Sequence, residues 1–173
     1  MKTYHYHVSA ELNNESKMPV YDDNTKIGEV RRVYTNRLKK LLDGYFDFRY
    51  FLVYEAATAQ NRFTVKKVFR RGKLWFEGKY VGDKKKTIIT YDNWRVGVPE
   101  LIILHEDCNI KIEKEIELPS RFFEGEAEIA TWHAVYNEEE QRFQVELKIM
   151  DEATIQEPSF YIAISQATLF IGA

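Results

Sequence analysis

The stretch that decides the fold is Pro158-Ser159-Phe160-Tyr161-Ile162-Ala163-Ile164-Ser165-Gln166-Ala167-Thr168-Leu169-Phe170-Ile171-Gly172-Ala173, which is mostly apolar and carries no charge. At 1.5 Å per residue, fourteen helical residues reach about 21 Å, which is too short to span a bilayer. Pro158 suits a first helical turn and Gly172 the position just past a helix end, although the isoleucines would also favour a buried strand. We predict a helix over residues 158–171 that is apolar all round and therefore buried.

Short strands of alternating polarity make up most of the remaining chain. Residues 4–8 alternate at period two, and residues 20–30 read as strand, turn and strand around Asp22-Asp23-Asn24. The clearest hairpin joins residues 127–136 to residues 141–149. Turns recur about every eight to twelve residues without crossover helices, which is typical of a sandwich or barrel. We therefore expect a sheet wrapped around the terminal helix.

A segment near residues 36–46 changes to a helical period. Its apolar residues recur on one face, which holds Leu38, Leu41, Leu42, Tyr45 and Phe46. The other face holds Arg37, Lys39 and Lys40. A basic amphipathic helix can lie on an anionic membrane, but so short a helix depends on tertiary packing for stability. We expect its apolar face to pack on the body of the protein, and the apolar run of residues 50–54 to be buried on both faces.

Composition indicates a globular protein with one domain over residues 1–173. Of these residues 45% are hydrophobic and 30% are charged, and a chain of this length builds one well-buried core. Cys108 is the only cysteine, so no intrachain disulfide can form, which favours a reducing, cytoplasmic location. The first residues, Met1-Lys2-Thr3-Tyr4, do not begin the apolar core of a secretory signal.

The net charge of −2 conceals an uneven distribution of charged residues. Residues 26–95 hold 18 basic and 7 acidic residues, whereas residues 96–173 hold 5 basic and 16 acidic residues. The two parts could form separate faces of a dipolar surface, or their charges could pair strand against strand. The sequence leaves both arrangements open.

Two basic clusters in the middle of the chain form the candidate binding site. Each lies at a predicted turn, and the clusters contain Arg70, Arg71 and Lys73, and Lys84, Lys85 and Lys86. If residues 74–81 and 87–91 pair as a hairpin, the clusters lie at its opposite ends. A basic residue near an anionic membrane contributes about 1 kcal/mol, so either cluster could bind a lipid phosphate, with a solubilising turn as the simpler alternative. Nucleic acid is not favoured as a partner, because the aromatic residues fall at core positions and the pI is 6.1.

The sequence contains no catalytic constellation and no cofactor motif. It lacks a nucleophile elbow, a phosphate loop, a dinucleotide-binding glycine pattern and paired cysteines. His5 and His7 share a strand face without a clear carboxylate partner, so neither they nor His105 and His133 are assigned as metal ligands. Cys108 lies at a turn near His105, which would lower the pKa of the thiol if the two interact. We predict a protein that uses no cofactor or metal and is not an enzyme.

Four stretches resemble the bacterial tubby C-terminal-domain-like proteins, relatives of tubby, the phospholipid scramblases and the LURP-one-related proteins. They are Val20-Tyr21-Asp22-Asp23-Asn24 to Ile27-Gly28, Tyr91-Asp92-Asn93-Trp94-Arg95-Val96-Gly97-Val98-Pro99-Glu100-Leu101, Tyr136-Asn137-Glu138-Glu139-Glu140, and Ile164-Ser165-Gln166-Ala167-Thr168-Leu169-Phe170-Ile171-Gly172. The resemblance implies a mainly β fold, a closed antiparallel barrel of about twelve strands around the hydrophobic C-terminal helix. It carries over no active site.

The resemblance also implies a class of function. Eukaryotic tubby holds phosphoinositide head groups with Lys and Arg side chains on its barrel, although those positions do not align residue by residue here. By analogy of fold, we expect a binding or scaffold domain without a transmembrane span, which contacts an anionic membrane at its inner face or a protein partner. The alternative is a small hydrophobic-ligand carrier with a calycin-like barrel. That alternative requires the C-terminal segment to lie outside the barrel and leave a cavity within it.

Overall fold

Antiparallel strands close into a barrel in the computed structural model, which describes residues 1–11, 14–46, 50–70, 73–92, 100–114 and 118–169. The strands are β1 (Lys2–Ser9), β2 (Met18–Asp22), β3 (Thr25–Tyr34), β4 (Leu52–Thr58), β5 (Arg62–Arg70), β6 (Lys73–Tyr80), β7 (Thr87–Asp92), β8 (Glu100–His105), β9 (Cys108–Glu113), β10 (Ser120–Glu124), β11 (Ala127–Asn137) and β12 (Arg142–Ile149). The helices are α1 (Arg37–Phe46), between β3 and β4, and α2 (Pro158–Thr168), after β12. The closed, mainly β fold of twelve strands expected from the family resemblance is confirmed.

Every strand pairs with its neighbours in the sequence, and β1 pairs with β12 to close the barrel. The predicted hairpin of β11 and β12 is confirmed, with Ala130 opposite Ile149 and Asn137 opposite Arg142. Because all neighbours are antiparallel, successive connections alternate between the two ends of the barrel. We call the end where α1 joins β3 to β4 the α1 end, and the other end, where Pro158 begins α2, the distal end.

The barrel wall explains the period of two in the strands. In β1 the residues Tyr4, Tyr6 and Val8 are buried, while His5 is exposed and His7 half-buried. The prediction that the apolar run of residues 50–54 is buried on both faces is wrong. Leu52 and Tyr54 are buried but Val53 is only half-buried, because a wall strand has one face toward the interior and one toward solvent.

Two local conformations fit the turn chemistry of the sequence. Asp23, in the tight turn between β2 and β3, has φ of 51°, a left-handed conformation that Asp tolerates better than most residues. Gly28 on β3 lies so close to β4 that an added Cβ would come within 2.1 Å of the Ala57 carbonyl oxygen. Only glycine fits this approach of two backbones.

Helix α2 lies inside the barrel, as predicted from its uniform apolarity. All its residues from Pro158 to Thr168 are buried. Phe160 contacts the ring of Phe63 on β5, with 5.0 Å between centroids, and Tyr161 contacts Phe122 on β10 at 5.3 Å. Since β5 and β10 are far apart around the wall, only an interior helix can reach both. Phe170, Ile171 and Gly172, the predicted end of the helix and its cap, lie outside the described residues.

Helix α1 forms where it was predicted, but most of its apolar face is exposed. Leu38, Leu41 and Tyr45 are 66%, 67% and 79% exposed and Leu42 is half-buried, so the expectation that this face packs on the protein is wrong for three of its five residues. The side chain of Phe46, the fifth, lies outside the described part of the structure. The buried side of the helix instead carries Asp43, whose carboxylate accepts hydrogen bonds from the backbone amides of Tyr50 at 3.0 Å and Phe51 at 2.8 Å. Hydrogen bonds to a charged group contribute about 1.5–3 kcal/mol each, which turns the Asp43 side inward.

Candidate functional site

The barrel converts the uneven charge of the sequence into two sides. Residues 26–95 build β3 to β7 and residues 96–173 build β8 to β12, and each set of strands is contiguous in the wall. The basic and acidic parts therefore form separate sides rather than interleaving strand by strand. At the seam between them, Lys85 beside β7 pairs with Glu106 beside β8 at 2.8 Å.

The first basic cluster lies at the α1 end. Arg70 ends β5, Lys73 begins β6, and the two residues are paired across the hairpin. Arg71 lies outside the described residues, and the structure describes only the backbone of Arg70 and Lys73. Lys66 on β5 pairs with Val53 on β4, and β4 begins one residue before Val53. The backbones of Arg70 and Lys73 therefore lie about 10 Å beyond the start of β4, at ~3.3 Å per residue.

The second basic cluster lies at the distal end. Lys84, Lys85 and Lys86 are exposed in the connection between β6 and β7. The prediction that the two clusters occupy opposite ends of this hairpin is confirmed by the pairing of Trp75 with Thr90 and of Gly78 with Thr87.

Two of the three lysines in the second cluster already form ion pairs with carboxylates. Lys85 donates a hydrogen bond to Glu106 at 2.8 Å, which raises the pKa of the lysine. Lys86 donates to Glu77 at 3.0 Å. The pKa of Glu77 is lowered, because burial, which raises it, is outweighed by Lys86 and Lys66. An anionic ligand at this end would compete with these ion pairs.

A small polar network joins α2 to the inner face of the barrel wall. Trp132 Nε1 donates to the Tyr6 hydroxyl at 2.9 Å, and Gln166 Nε2 of α2 donates to the same oxygen at 3.3 Å. Burial raises the pKa of Tyr6 far above its usual range, so the phenol stays protonated. Because α2 fills the space that a carrier would keep for its ligand, the structure contradicts the calycin-like alternative.

The histidines occupy two different environments. On the outer wall, His5 of β1 lies opposite Glu146 of β12, and His133 of β11 lies opposite Glu146 from the other side. The strand register therefore places the Glu146 carboxylate beside these two histidines, a neighbour that the sequence alone did not reveal. Glu146, however, is paired with Lys148 at 2.7 Å. Within the described residues, no group of three or more His, Cys, Asp or Glu side chains is arranged to hold a metal ion.

The structure does not activate Cys108 through His105, the possibility raised by their proximity in the sequence. Burial, followed by the nearby carboxylates of Glu124 and Asp107, raises the pKa of the thiol. His105 faces the interior instead, with its Nδ1 at 2.6 Å from the Thr87 hydroxyl and its ring 5.2 Å from that of Phe160. Burial lowers the pKa of His105. The Cys108 thiol and the His105 imidazole therefore do not form a reactive cysteine–histidine pair.

The outward stripe of α1 is the surface feature that the sequence pattern did not identify. Amphipathic periodicity marks which residues share a face, but it does not say whether that face is turned inward. The missed signal is Asp43, a carboxylate placed on the opposite side of the helix from Leu41. Neither α1 nor α2 has the length and apolar character needed to cross a membrane.

Comparison with known proteins agrees with this architecture. The sequence model of one family, described as the Tubby C-terminal like domain, matches residues 4–171. No curated protein and no solved structure gives a significant match.

Proposed function

This chain belongs to the Tubby C-terminal like domain family, and from that premise we propose that residues 1–173 form a single, non-enzymatic binding domain for anionic phospholipid. The domain acts in the cytoplasm, at the inner face of the membrane. The separation of basic and acidic strands into two sides of one barrel is the observation that carries the proposal. A one-sided positive surface draws the domain toward an anionic bilayer and orients it there.

The two basic clusters lie at opposite ends of the barrel, so a bilayer that meets the barrel end-on contacts one of them. Arg70 and Lys73 lie at the α1 end, and the connection of residues 84–86 lies at the distal end. We assign the membrane contact to the α1 end. The pairing of Lys85 with Glu106 and of Lys86 with Glu77 supports this choice, because lipid phosphate at the distal end would have to displace these carboxylates.

Co-sedimentation with vesicles tests the proposal. Wild-type protein is mixed at low salt with phosphatidylcholine vesicles that contain or lack phosphatidylserine. We expect binding only to the anionic vesicles, and we expect added salt to weaken it. Reversing three charges with Arg70→Glu, Arg71→Glu and Lys73→Glu should lower the partition coefficient about a hundredfold, at ~1 kcal/mol per residue.

A matched variant changes the same number of charges at the other end. Lys84→Glu, Lys85→Glu and Lys86→Glu should reduce binding much less than the α1-end variant. A larger loss from the distal variant would move the contact to the distal end. No sedimentation of the wild type at low salt would end the phospholipid proposal.

A further inference from the structure

Helix α1 presents an apolar stripe to solvent. Leu38, Leu41 and Tyr45 are spaced i, i+3 and i+7, so they lie within about 60° of one another around the helix. Each is at least 66% exposed. Side chains of this size are common one at a time on protein surfaces, but a stripe of three along one helix is the pattern of a docking face.

The stripe faces outward because the other side of the helix is anchored. Asp43 binds the amides of Tyr50 and Phe51 at the start of β4, and the Lys39 ammonium lies 5.5 Å from the ring of Phe51. At the first turn the side chain of Asn36 accepts a hydrogen bond from the Lys39 amide at 2.8 Å. These contacts fix the orientation of α1, so the exposure of the stripe is a feature of the fold.

The charged residues next to the apolar stripe indicate which kind of partner binds to it. Arg37, Lys39 and Lys40 lie in the first turn, where the helix dipole is already positive and basic residues cost stability. The only acidic residue of the helix, Asp43, is buried. Lys40 is paired with Glu15 and Lys39 lies beside an aromatic ring, while Arg37 is exposed. An apolar stripe with a positive end complements the membrane interface, where anionic head groups lie above acyl chains.

The position of α1 adds a second argument for a membrane. Its C-terminal end leads into β4, and β4 is followed in the wall by β5 and β6, whose turn carries Arg70 and Lys73. Arg70 and Lys73 lie on the next two strands of the wall, one and two spacings of about 4.8 Å from β4, and about 10 Å beyond its start along the strand direction. The stripe and these two basic residues therefore lie at the same end of the barrel.

We propose that α1 lies in the interfacial plane of an anionic bilayer and inserts Leu38, Leu41 and Tyr45 between the head groups. The insertion holds the domain on the membrane, and the neighbouring basic turn supplies the attraction to anionic lipid. The choice of lipid class rests on the proposed function. The insertion itself rests on the orientation and composition of α1.

The variant Leu38→Ser, Leu41→Ser and Tyr45→Ser tests the insertion without changing charge. It should lower the partition coefficient on phosphatidylserine-containing vesicles at least about tenfold, from the loss of apolar area. Thermal unfolding should change far less than vesicle binding, because each of the three side chains is at least 66% exposed. The control Val81→Ser and Leu104→Ser removes exposed apolar side chains at the distal end and should leave partitioning unchanged. Wild-type partitioning in the α1 variant would overturn the inference.

A fluorescent label gives an independent measurement. In a Cys108→Ser background, Leu41→Cys labelled with an environment-sensitive dye should shift to shorter emission wavelength when anionic vesicles are added. The same dye on Lys84→Cys should not shift. Equal responses at both positions would contradict insertion of α1.

These experiments separate the inference from the proposed function. If reversal of the Arg70–Lys73 charges abolishes binding while the α1 serine variant binds normally, the phospholipid function stands and the insertion is wrong. If the protein binds neutral vesicles through α1 regardless of salt, the insertion stands and the electrostatic function is wrong. A wild-type dimer that the α1 serine variant converts to a monomer, with no vesicle binding, would assign the stripe to a second copy of the chain.

Discussion

Helices α1 and α2 have nearly the same length and opposite environments. α1 has ten residues and leaves three large apolar side chains in solvent, whereas α2 has eleven residues, all buried. The amphipathic helix is therefore the peripheral one, and the helix without a polar stripe forms the core.

The difference teaches what decides the burial of a helix in a closed barrel. The barrel has one interior, and α2 fills it through contacts such as Phe160 with Phe63 and Tyr161 with Phe122. The connection from β3 to β4 places α1 at the barrel end, where Asp43 selects the face that turns inward. Helix α1 therefore exposes its side chains at the surface, whereas α2 stabilises the barrel that carries α1.

The largest expected effect is a contrast between matched truncations in the two helices. Ile164 of α2 is fully buried and Leu41 of α1 is 67% exposed. Ile164→Ala should lower the free energy of unfolding by about 2–5 kcal/mol through lost burial and a residual cavity. Leu41→Ala should change it by no more than about 0.5 kcal/mol. Urea unfolding of both variants measures the difference, and similar losses would show that α1 is also part of the core.

A smaller effect concerns the ammonium that caps the end of α2. Lys114 donates hydrogen bonds to the backbone carbonyls of Thr168 and Leu169, and burial lowers its pKa to about 8. The unfolded chain, with a lysine pKa of about 10.4, keeps this proton at a pH where the folded chain has lost it. Stability therefore rises with pH above about 8, since the unfolded state then binds more protons.

Lys114→Met removes this pH dependence. Between about pH 7 and pH 9.5 the free energy of unfolding of the wild type should rise by about 2 kcal/mol relative to the variant. Tyrosines of the unfolded chain, with a pKa of about 10, begin to ionise in this range, but they do so in both proteins and cancel in the difference. A constant difference across the range would show that Lys114 is more hydrated than its burial beside α2 implies.

The sequence was sufficient for the parts of the fold that depend on periodicity. Period two in Tyr4, Tyr6 and Val8 predicted a half-buried strand, and the uncharged segment from Pro158 predicted an interior helix. The separation of basic and acidic strands required the topology, because it follows from every strand pairing with its neighbours in the chain.

The orientation of α1 could not be predicted from its helical pattern. The pattern groups Leu38, Leu41 and Tyr45, but the opposite side is held by hydrogen bonds from Asp43 to amides seven and eight residues later. Such contacts depend on how the following segment enters β4. The partner of Gln166 was equally hidden, because Tyr6 lies 160 residues away in the sequence.

Hydrogen exchange of the wild-type protein, read by mass spectrometry, tests the central contrast between the two helices most directly. Amides within Phe160–Thr168 should exchange only through global unfolding, with a protection free energy equal to that measured in urea. Amides of α1 should exchange through local opening, at a clearly lower protection free energy. Equal protection of the two helices, or exchange of α2 before the surrounding strands, would contradict the account.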